Sequence, residues 1–92
     1  MTIYNEQTVK ALLENFQNWN FENDGIVKKF QFKNFIEAMG FIVKVGLIAE
    51  KLNHHPEFFN AYNKVIIRLT THNVKGVTTK DFDLAKAIDS IQ

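Results

Sequence analysis

Ninety-two residues are enough for one compact domain and too few for two. The hydrophobic fraction of 46%, with nine Phe, is too apolar for a disordered chain, and a net charge of +1 argues against direct nucleic-acid binding through charge alone. The absence of cysteine excludes a disulfide framework, a thiolate nucleophile and an iron–sulfur cluster. This length predicts one domain over residues 1–92. Because a short chain buries a smaller share of its surface than a longer one, we expect the domain to gain stability from a partner subunit.

No stretch of the sequence has the composition of a membrane span or a signal peptide. Residues 1–15 contain two glutamates and no apolar run of sufficient length. The most apolar stretch, residues 35–52, is interrupted by Glu37, Gly40, Lys44, Gly46 and Glu50. We therefore expect a cytoplasmic protein without membrane contact.

The first third of the chain predicts a helix followed by a β-hairpin. Asn5 is a suitable N-cap for a helix from Glu6 to Asn15, whose apolar residues follow helical spacing at Val9, Leu12, Leu13 and Phe16. From Trp19 to Phe32, apolar residues alternate with polar ones on both sides of Asn23-Asp24-Gly25. These three residue types tolerate the positive φ of a tight turn, so we expect a hairpin here.

The middle of the chain predicts a long helix from Lys33 to Leu52, which ends before Pro56. One apolar stripe of this helix contains Phe35, Met39, Ile42, Val45, Ala49 and Leu52, and a second contains Ile36, Val43 and Leu47. One stripe can cover the sheet of the same subunit. We expect the other to pack against the same helix of a partner, which predicts a homodimer or homotetramer.

The last third predicts a second hairpin and a final helix. The strands are Phe58–Tyr62 and Val65–Thr71, joined by a turn at Asn63-Lys64. Thr78 and Asp81 have the spacing of a capping box, which begins a helix with an apolar face at Leu84, Ala87, Ile88 and Ile91. The order α-ββ-α-ββ-α predicts an α+β fold in which a four-stranded antiparallel sheet carries three helices on one face.

The three histidines, His54, His55 and His72, fall between the end of the second predicted helix and the end of the fourth predicted strand. An imidazole with an ordinary pKa near ~6.5 gives or takes a proton at neutral pH, so this grouping suits acid–base chemistry. Surface histidines near helix ends are an alternative. A zinc site with two histidines and Asp81 or Glu50 is less favoured, because adjacent histidines seldom point at one ion.

Two carboxylates accompany the histidines. Asp81 serves the capping box and can also orient a histidine ring from the start of the last helix. Glu50 lies four residues before His54, near a helix C-terminus, where the helix dipole disfavours a negative charge. That placement hints at a functional role.

These residues together resemble the signature of the pterin-4a-carbinolamine dehydratases. The match covers both residue type and spacing. In chain order it consists of Glu50, three residues, His54-His55-Pro56, five residues, Tyr62, nine residues, His72, eight residues and Asp81. The blocks 57–60, 62–65 and 70–72 are similar as well. The resemblance extends from about Asn5 to the C-terminus.

The resemblance implies the same α-ββ-α-ββ-α fold and assembly as homodimers or homotetramers. It implies a dehydratase that removes water from 4a-hydroxytetrahydropterin to give quinonoid dihydropterin, a step in tetrahydropterin recycling, with no metal and no organic cofactor. An aromatic amino-acid hydroxylase, as the source of the substrate, is one implied protein partner. Vertebrate members also bind a homeodomain transcription factor as its dimerisation cofactor, so the alternative is an oligomeric binding module that acts as a transcriptional coactivator.

The resemblance also implies residue roles. His55 and His72 would transfer protons around the C4a hydroxyl and N5, while His54 would line the pocket and be able to share those roles. Glu50 would bind the polar edge of the pterin and Asp81 would orient His72. Two further candidate substrate-binding residues depart from the family pattern: Phe58 stands where many members have Trp, and Asn53 where many have Asp.

Overall fold

The structure is a computed structural model that describes residues 2–92, so Met1 of the predicted domain lies outside it. Its elements are α1 (Glu6–Leu13), β1 (Asn20–Glu22), β2 (Gly25–Gln31), α2 (Phe35–Leu52), β3 (Glu57–Ala61), β4 (Lys64–Leu69) and α3 (Thr79–Ser90). All strand pairs are antiparallel, in the spatial order β1-β2-β4-β3. The predicted α-ββ-α-ββ-α order and α+β class are confirmed.

One face of the sheet carries the core. Alternate residues of the two central strands, such as Ile26 and Phe30 of β2 and Ile67 of β4, are buried against all three helices. The helices contribute Val9 and Leu13, then Ala38, Phe41, Val45 and Ala49, then Leu84, Ala85 and Ile88. Among residues 2–92, no helix lies on the opposite face, which exposes polar side chains such as Lys29.

The first hairpin turns at the predicted place. Asn23 and Asp24 have positive φ angles of 48° and 62°, and Glu22 pairs with Gly25. Two consecutive left-handed residues match the right-handed twist of the flanking strands, which is why Asn and Asp are favoured here.

The core face of α2 differs from the predicted stripe. Val45 and Ala49 are buried as expected and Ile42 is half-buried, but the face is completed by Ala38 and Phe41. Three members of the predicted stripe, Phe35, Met39 and Leu52, are exposed, so that part of the prediction is wrong. Apolar residues surround most of this helix, and the pattern alone could not show which side the sheet would cover.

The second stripe of α2 lies in the open on the described chain. Ile36 is 80% exposed, Leu47 is 69% exposed and Val43 is 57% exposed. No other element within residues 2–92 covers them, so α2 presents an apolar face to its surroundings.

Several element ends shift by one or two residues. α1 ends at Leu13 instead of Asn15, because the following amides bond three residues back, as when the Asn15 N–H donates to the Leu12 carbonyl (3.2 Å). α2 begins at Phe35 instead of Lys33, after Asn34, whose side chain accepts from the Glu37 N–H. The second hairpin turns at Tyr62-Asn63, since Lys64 already pairs with Ala61.

The start of α3 follows the prediction. Thr78 and Asp81 form a reciprocal capping box. Leu84 and Ile88 are buried as expected, while Phe82 and Ala85 take a larger part than Ala87 and Ile91, which are only half-buried. Within residues 2–92, no helix is both long and apolar enough to span a membrane.

Candidate active site

Three ends of secondary structure meet at one cleft of about 300 Å³. The segment after α2, the segment after β4 and the first turn of α3 line it with Asn53, His54, His55, Thr70, Thr71, His72, Asn73 and Lys80. A cleft of this size suits a small molecule. The structure therefore brings all three histidines together, although sixteen residues of chain lie between His55 and His72.

The end of α2 turns sharply to present its part of the cleft. Asn53 is the C-cap, with a left-handed φ of 53°. The His54 N–H donates to the Ala49 carbonyl at 3.1 Å and the Asn53 N–H donates to the Glu50 carbonyl at 3.1 Å. These bonds satisfy the last carbonyls of the helix and direct the next residues into the cleft.

The loop after β4 is closed by a short bridge. The Thr71 N–H donates to the Gly76 carbonyl at 2.9 Å, and the Gly76 N–H returns a weaker bond to Thr71 at 3.4 Å. The predicted strand to Thr71 thus ends at Leu69. The closed loop carries His72 and Asn73 at the rim of the cleft.

Asp81 and His54 form a buried pair at the back of the cleft. His54 Nε2 lies 2.5 Å from Asp81 Oδ1, and the exposed fractions of the two side chains are 11% and 0%. Asp81 Oδ2 accepts from the Thr71 hydroxyl at 2.8 Å and from the Thr78 N–H at 2.9 Å. With both oxygens engaged, the carboxylate is fixed and holds the histidine ring in one orientation.

This arrangement corrects one expectation. Asp81 orients His54 and not His72, because the start of α3 lies beneath the segment that follows α2. His72 projects from the exposed loop and faces a different carboxylate, that of Glu57.

The other two histidines have exposed partners. His55 Nε2 lies 2.8 Å from Glu50 Oε1, with 60% and 79% of the side chains exposed. His72 Nε2 lies 3.6 Å from Glu57 Oε2, beyond hydrogen-bond distance, and the same oxygen accepts from Arg68 Nη1 at 2.8 Å. Glu57 and Arg68 are cross-strand neighbours of β3 and β4. Each histidine therefore has its own carboxylate, and only one of the three pairs is buried.

The predicted substrate-binding residues divide into two groups. Asn53 lines the cleft, whereas Glu50, Phe58 and Asp81 do not. Asp81 lies behind His54, Glu50 holds His55 from the solvent side, and Phe58 is a partly exposed residue of edge strand β3.

Sequence reasoning missed several residues of the site: Thr70, Thr71, Asn73 and Lys80 of the cleft, and Glu57 beside it. Thr70 and Thr71 directly precede His72 in the sequence, and this position beside a candidate histidine could have identified them. Glu57 could be found only from the register of β3 with β4. Within residues 2–92, no cluster of three or more His, Asp or Glu side chains has the geometry to hold a metal ion.

Comparison with known proteins identifies the family of this chain. The family model described as pterin 4 alpha carbinolamine dehydratase matches residues 2–91. The chain belongs to this family. The resemblance read from Glu50 to Asp81 is thus confirmed for nearly the whole chain.

Several relatives match this dehydratase-family chain over most of its length. A protein of the bacterium Prochlorococcus marinus is 46% identical over 90 residues, covering 98% of this chain and 94% of its own length. A protein of Sulfolobus acidocaldarius is 44% identical over 87 residues, covering 95% and 96%. Both are named "putative pterin-4-alpha-carbinolamine dehydratase".

Two solved structures share the fold. A protein from Brucella melitensis described as a transcriptional coactivator/pterin dehydratase has a TM-score of 0.92 and 38% identity over 98% of each chain. A pterin dehydratase-like protein described as a RuBisCO assembly factor in the alpha-carboxysome has a TM-score of 0.64 and 16% identity, covering 78% of this chain and 83% of its own. The second likeness concerns the fold alone.

Proposed function

We propose that this chain is an enzyme that removes water from 4a-hydroxytetrahydropterin and so returns the pterin to tetrahydropterin recycling. The observation that supports the proposal is the convergence of three histidines, each beside a carboxylate, on one cleft. Dehydration needs both an acid and a base, and histidine supplies either one at neutral pH.

The reaction requires two proton transfers. An imidazolium gives its proton to the C4a hydroxyl, and the C4a–O bond breaks as water leaves. The N5 lone pair then forms the double bond to C4a, while a neutral imidazole takes the proton from N5. The acid loses one proton and the base gains one, so exchange with solvent restores both residues.

The buried pair favours His54 as the base. Asp81 can only accept hydrogen bonds when ionised, so the proton between the two side chains belongs to His54 Nε2. The other ring nitrogen, Nδ1, then carries a lone pair that can receive the N5 proton. The carboxylate stabilises the positive charge that forms on the ring.

His55 and His72 are the proposed acids at the C4a hydroxyl. Both line the cleft, and 60% of the His55 side chain and 62% of the His72 side chain are exposed, so they exchange protons readily with water. The side-chain amides of Asn53 and Asn73 offer donors and acceptors together, which suits the polar edge of a pterin. No metal or organic cofactor enters these steps.

Stopped-flow ultraviolet spectroscopy tests the activity directly. Purified protein should accelerate the decay of 4a-hydroxytetrahydropterin to quinonoid dihydropterin in proportion to enzyme concentration. A decay rate equal to the uncatalysed control would reject the enzyme. It would favour the second candidate, an oligomeric coactivator-like binding module. Two observations support that candidate: the exposed apolar face of α2 and the description of the Brucella melitensis neighbour as a transcriptional coactivator/pterin dehydratase.

We also propose that the exposed stripe of α2 joins copies of this chain into a homodimer or homotetramer. Ile36 and Val43 are seven residues apart, and Leu47 follows four residues later, so they form one apolar seam along the helix. Leaving this seam in water would expose an unusually apolar strip for a subunit of this size.

Sedimentation equilibrium tests the assembly. Val43→Glu and Leu47→Glu each place one negative charge in the seam and should yield monomers at micromolar concentration. Ala11→Glu, which replaces an exposed apolar residue of α1, is the matched control and should leave the assembly unchanged. An unmodified protein that is monomeric would reject the interface.

A further inference from the structure

A chain of hydrogen bonds leads from the first turn of α3 to His54. The Lys80 N–H donates to Thr78 Oγ1 at 3.2 Å, the hydroxyls of Thr78 and Thr71 lie 2.8 Å apart, and Thr71 donates to Asp81 Oδ2 at 2.8 Å. Asp81 then meets His54 through its other oxygen. Thr71, Thr78 and Asp81 are all buried, at 4%, 0% and 0% exposed.

The direction of this chain is fixed by the chemistry of its members. An ionised carboxylate has no proton to give, so the Thr71 hydroxyl must donate to Asp81. Because Thr71 has only one hydroxyl proton, the Thr78 hydroxyl must in turn donate to Thr71. The oxygen of Thr78 is left to accept from the backbone N–H of Lys80, which lies in the electropositive first turn of α3.

We propose that Thr71 is a positioning residue for the dehydration, acting through Asp81 on the tautomer of His54. This inference rests on the proposed function, in which His54 Nδ1 receives the N5 proton. The Thr71 hydroxyl holds Oδ2, and Oδ1 is therefore aimed at His54 Nε2. Without that hydroxyl, the carboxylate keeps one bond to Oδ2, from the Thr78 N–H, and gains freedom to turn away from the ring.

The two candidate roles of Thr71, packing and positioning, predict different results for Val and Ser. Thr71→Val keeps the shape of the side chain and removes the hydroxyl, whereas Thr71→Ser keeps the hydroxyl and removes the methyl group. A positioning role predicts that Val is the harmful change and that Ser restores function. A packing role predicts the reverse.

Two measurements test the proposal. Nitrogen-15 NMR of the histidine rings, at a pH where they are neutral, should show only the Nε2–H tautomer for His54 in the unmodified protein and a mixture of tautomers in Thr71→Val. Stopped-flow kinetics should show kcat lowered about tenfold in Thr71→Val, with KM within about twofold, and Thr71→Ser within about twofold of the unmodified enzyme on both constants. Thr79→Val, on the exposed side of the same helix turn, is the control and should change neither measurement.

Each outcome supports or rejects the positioning role of Thr71. An Nδ1–H tautomer of His54 in the unmodified protein overturns the proposal without any variant, as does a Thr71→Ser enzyme that is as impaired as Thr71→Val. If Thr71→Val does not fold, Thr71→Ala takes its place in the same two measurements. If the protein lacks dehydratase activity while the tautomer still changes in Thr71→Val, the hydrogen-bond chain stands and only the proposed reaction fails.

Discussion

In both the buried half and the exposed half of the cleft a carboxylate lies beside each histidine, but the two halves differ in how firmly that carboxylate is held. His54 is held by a carboxylate that is itself held by a hydroxyl and a backbone amide, away from water. His55 and His72 meet Glu50 and Glu57 in the solvent, at 2.8 Å and 3.6 Å. Exposed ion pairs contribute only on the order of 0–1 kcal/mol, whereas a buried carboxylate with every oxygen bonded defines one geometry.

The fold itself orients the histidine of the buried pair, whereas water competes for the partners of the two exposed histidines. His54, the proposed base, is oriented by Asp81, which Thr71 and Thr78 hold in turn, and all three of these residues lie buried within the subunit. His55 and His72, the proposed acids, have exposed side chains and exposed carboxylate partners, so the fold alone fixes their orientation less firmly. We therefore expect that removing a carboxylate partner lowers the activity more, the more deeply that carboxylate is buried.

His54→Ala is expected to have the largest effect. It removes the proposed base and should lower kcat/KM by about 10²–10⁴, the usual contribution of a positioned acid or base. Stopped-flow kinetics and a thermal unfolding curve measured together separate loss of chemistry from loss of fold. A folded variant within about threefold of the unmodified enzyme would remove His54 from the proton transfers.

Asp81→Asn should come next. Asn Oδ1 can keep the bonds from Thr71 and Thr78, while its NH₂ group faces His54 and donates to Nε2, so the ring takes the wrong tautomer. We expect kcat to fall about 10²-fold with little change in the melting temperature. An unfolded Asp81→Asn protein would instead show that the carboxylate serves mainly the capping box of α3.

Glu57→Gln should have a smaller effect. The residue faces His72 from 3.6 Å and is shared with Arg68, and its side chain is 47% exposed. We expect kcat/KM to fall by about threefold, as for the loss of a partly exposed charge pair. Glu14→Gln, on the solvent side of the chain after α1, is the matched control.

Glu50→Gln should have the smallest effect, less than about twofold on kcat/KM, because 79% of the side chain is exposed and the amide can still bond His55. The same assay measures it beside the other three variants. A loss as large as that of Asp81→Asn would break the proposed relation between burial and importance. It would instead make Glu50 a direct contact of the pterin.

Most of the fold could be predicted because local signals agreed with one another. Apolar periods, the Asn23-Asp24 turn and the Thr78–Asp81 box each depend on residues close in sequence. The core face of α2 could not be predicted in full, since Phe35 and Ala38 both satisfy a helical period and only contact with the sheet distinguishes them.

The candidate site shows the same division. The three histidines could be found from their grouping and from the family resemblance, but not which carboxylate each one meets. That pairing depends on the height of α3 relative to the segment after α2 and on the register of β3 with β4. Both are long-range properties, which explains why Asp81 was assigned to the wrong histidine and Glu57 was missed.

Asn53 occupies a position where glycine would be the cheaper residue. Left-handed backbone disfavours a side chain, and a glycine C-cap would avoid that penalty of about 1 kcal/mol or less. The chain nevertheless carries an asparagine there, and that residue lines the cleft. We therefore expect Asn53→Gly to keep the melting temperature and to weaken pterin binding. At this helix end, the residue that is best for stability is not the residue that is best for binding.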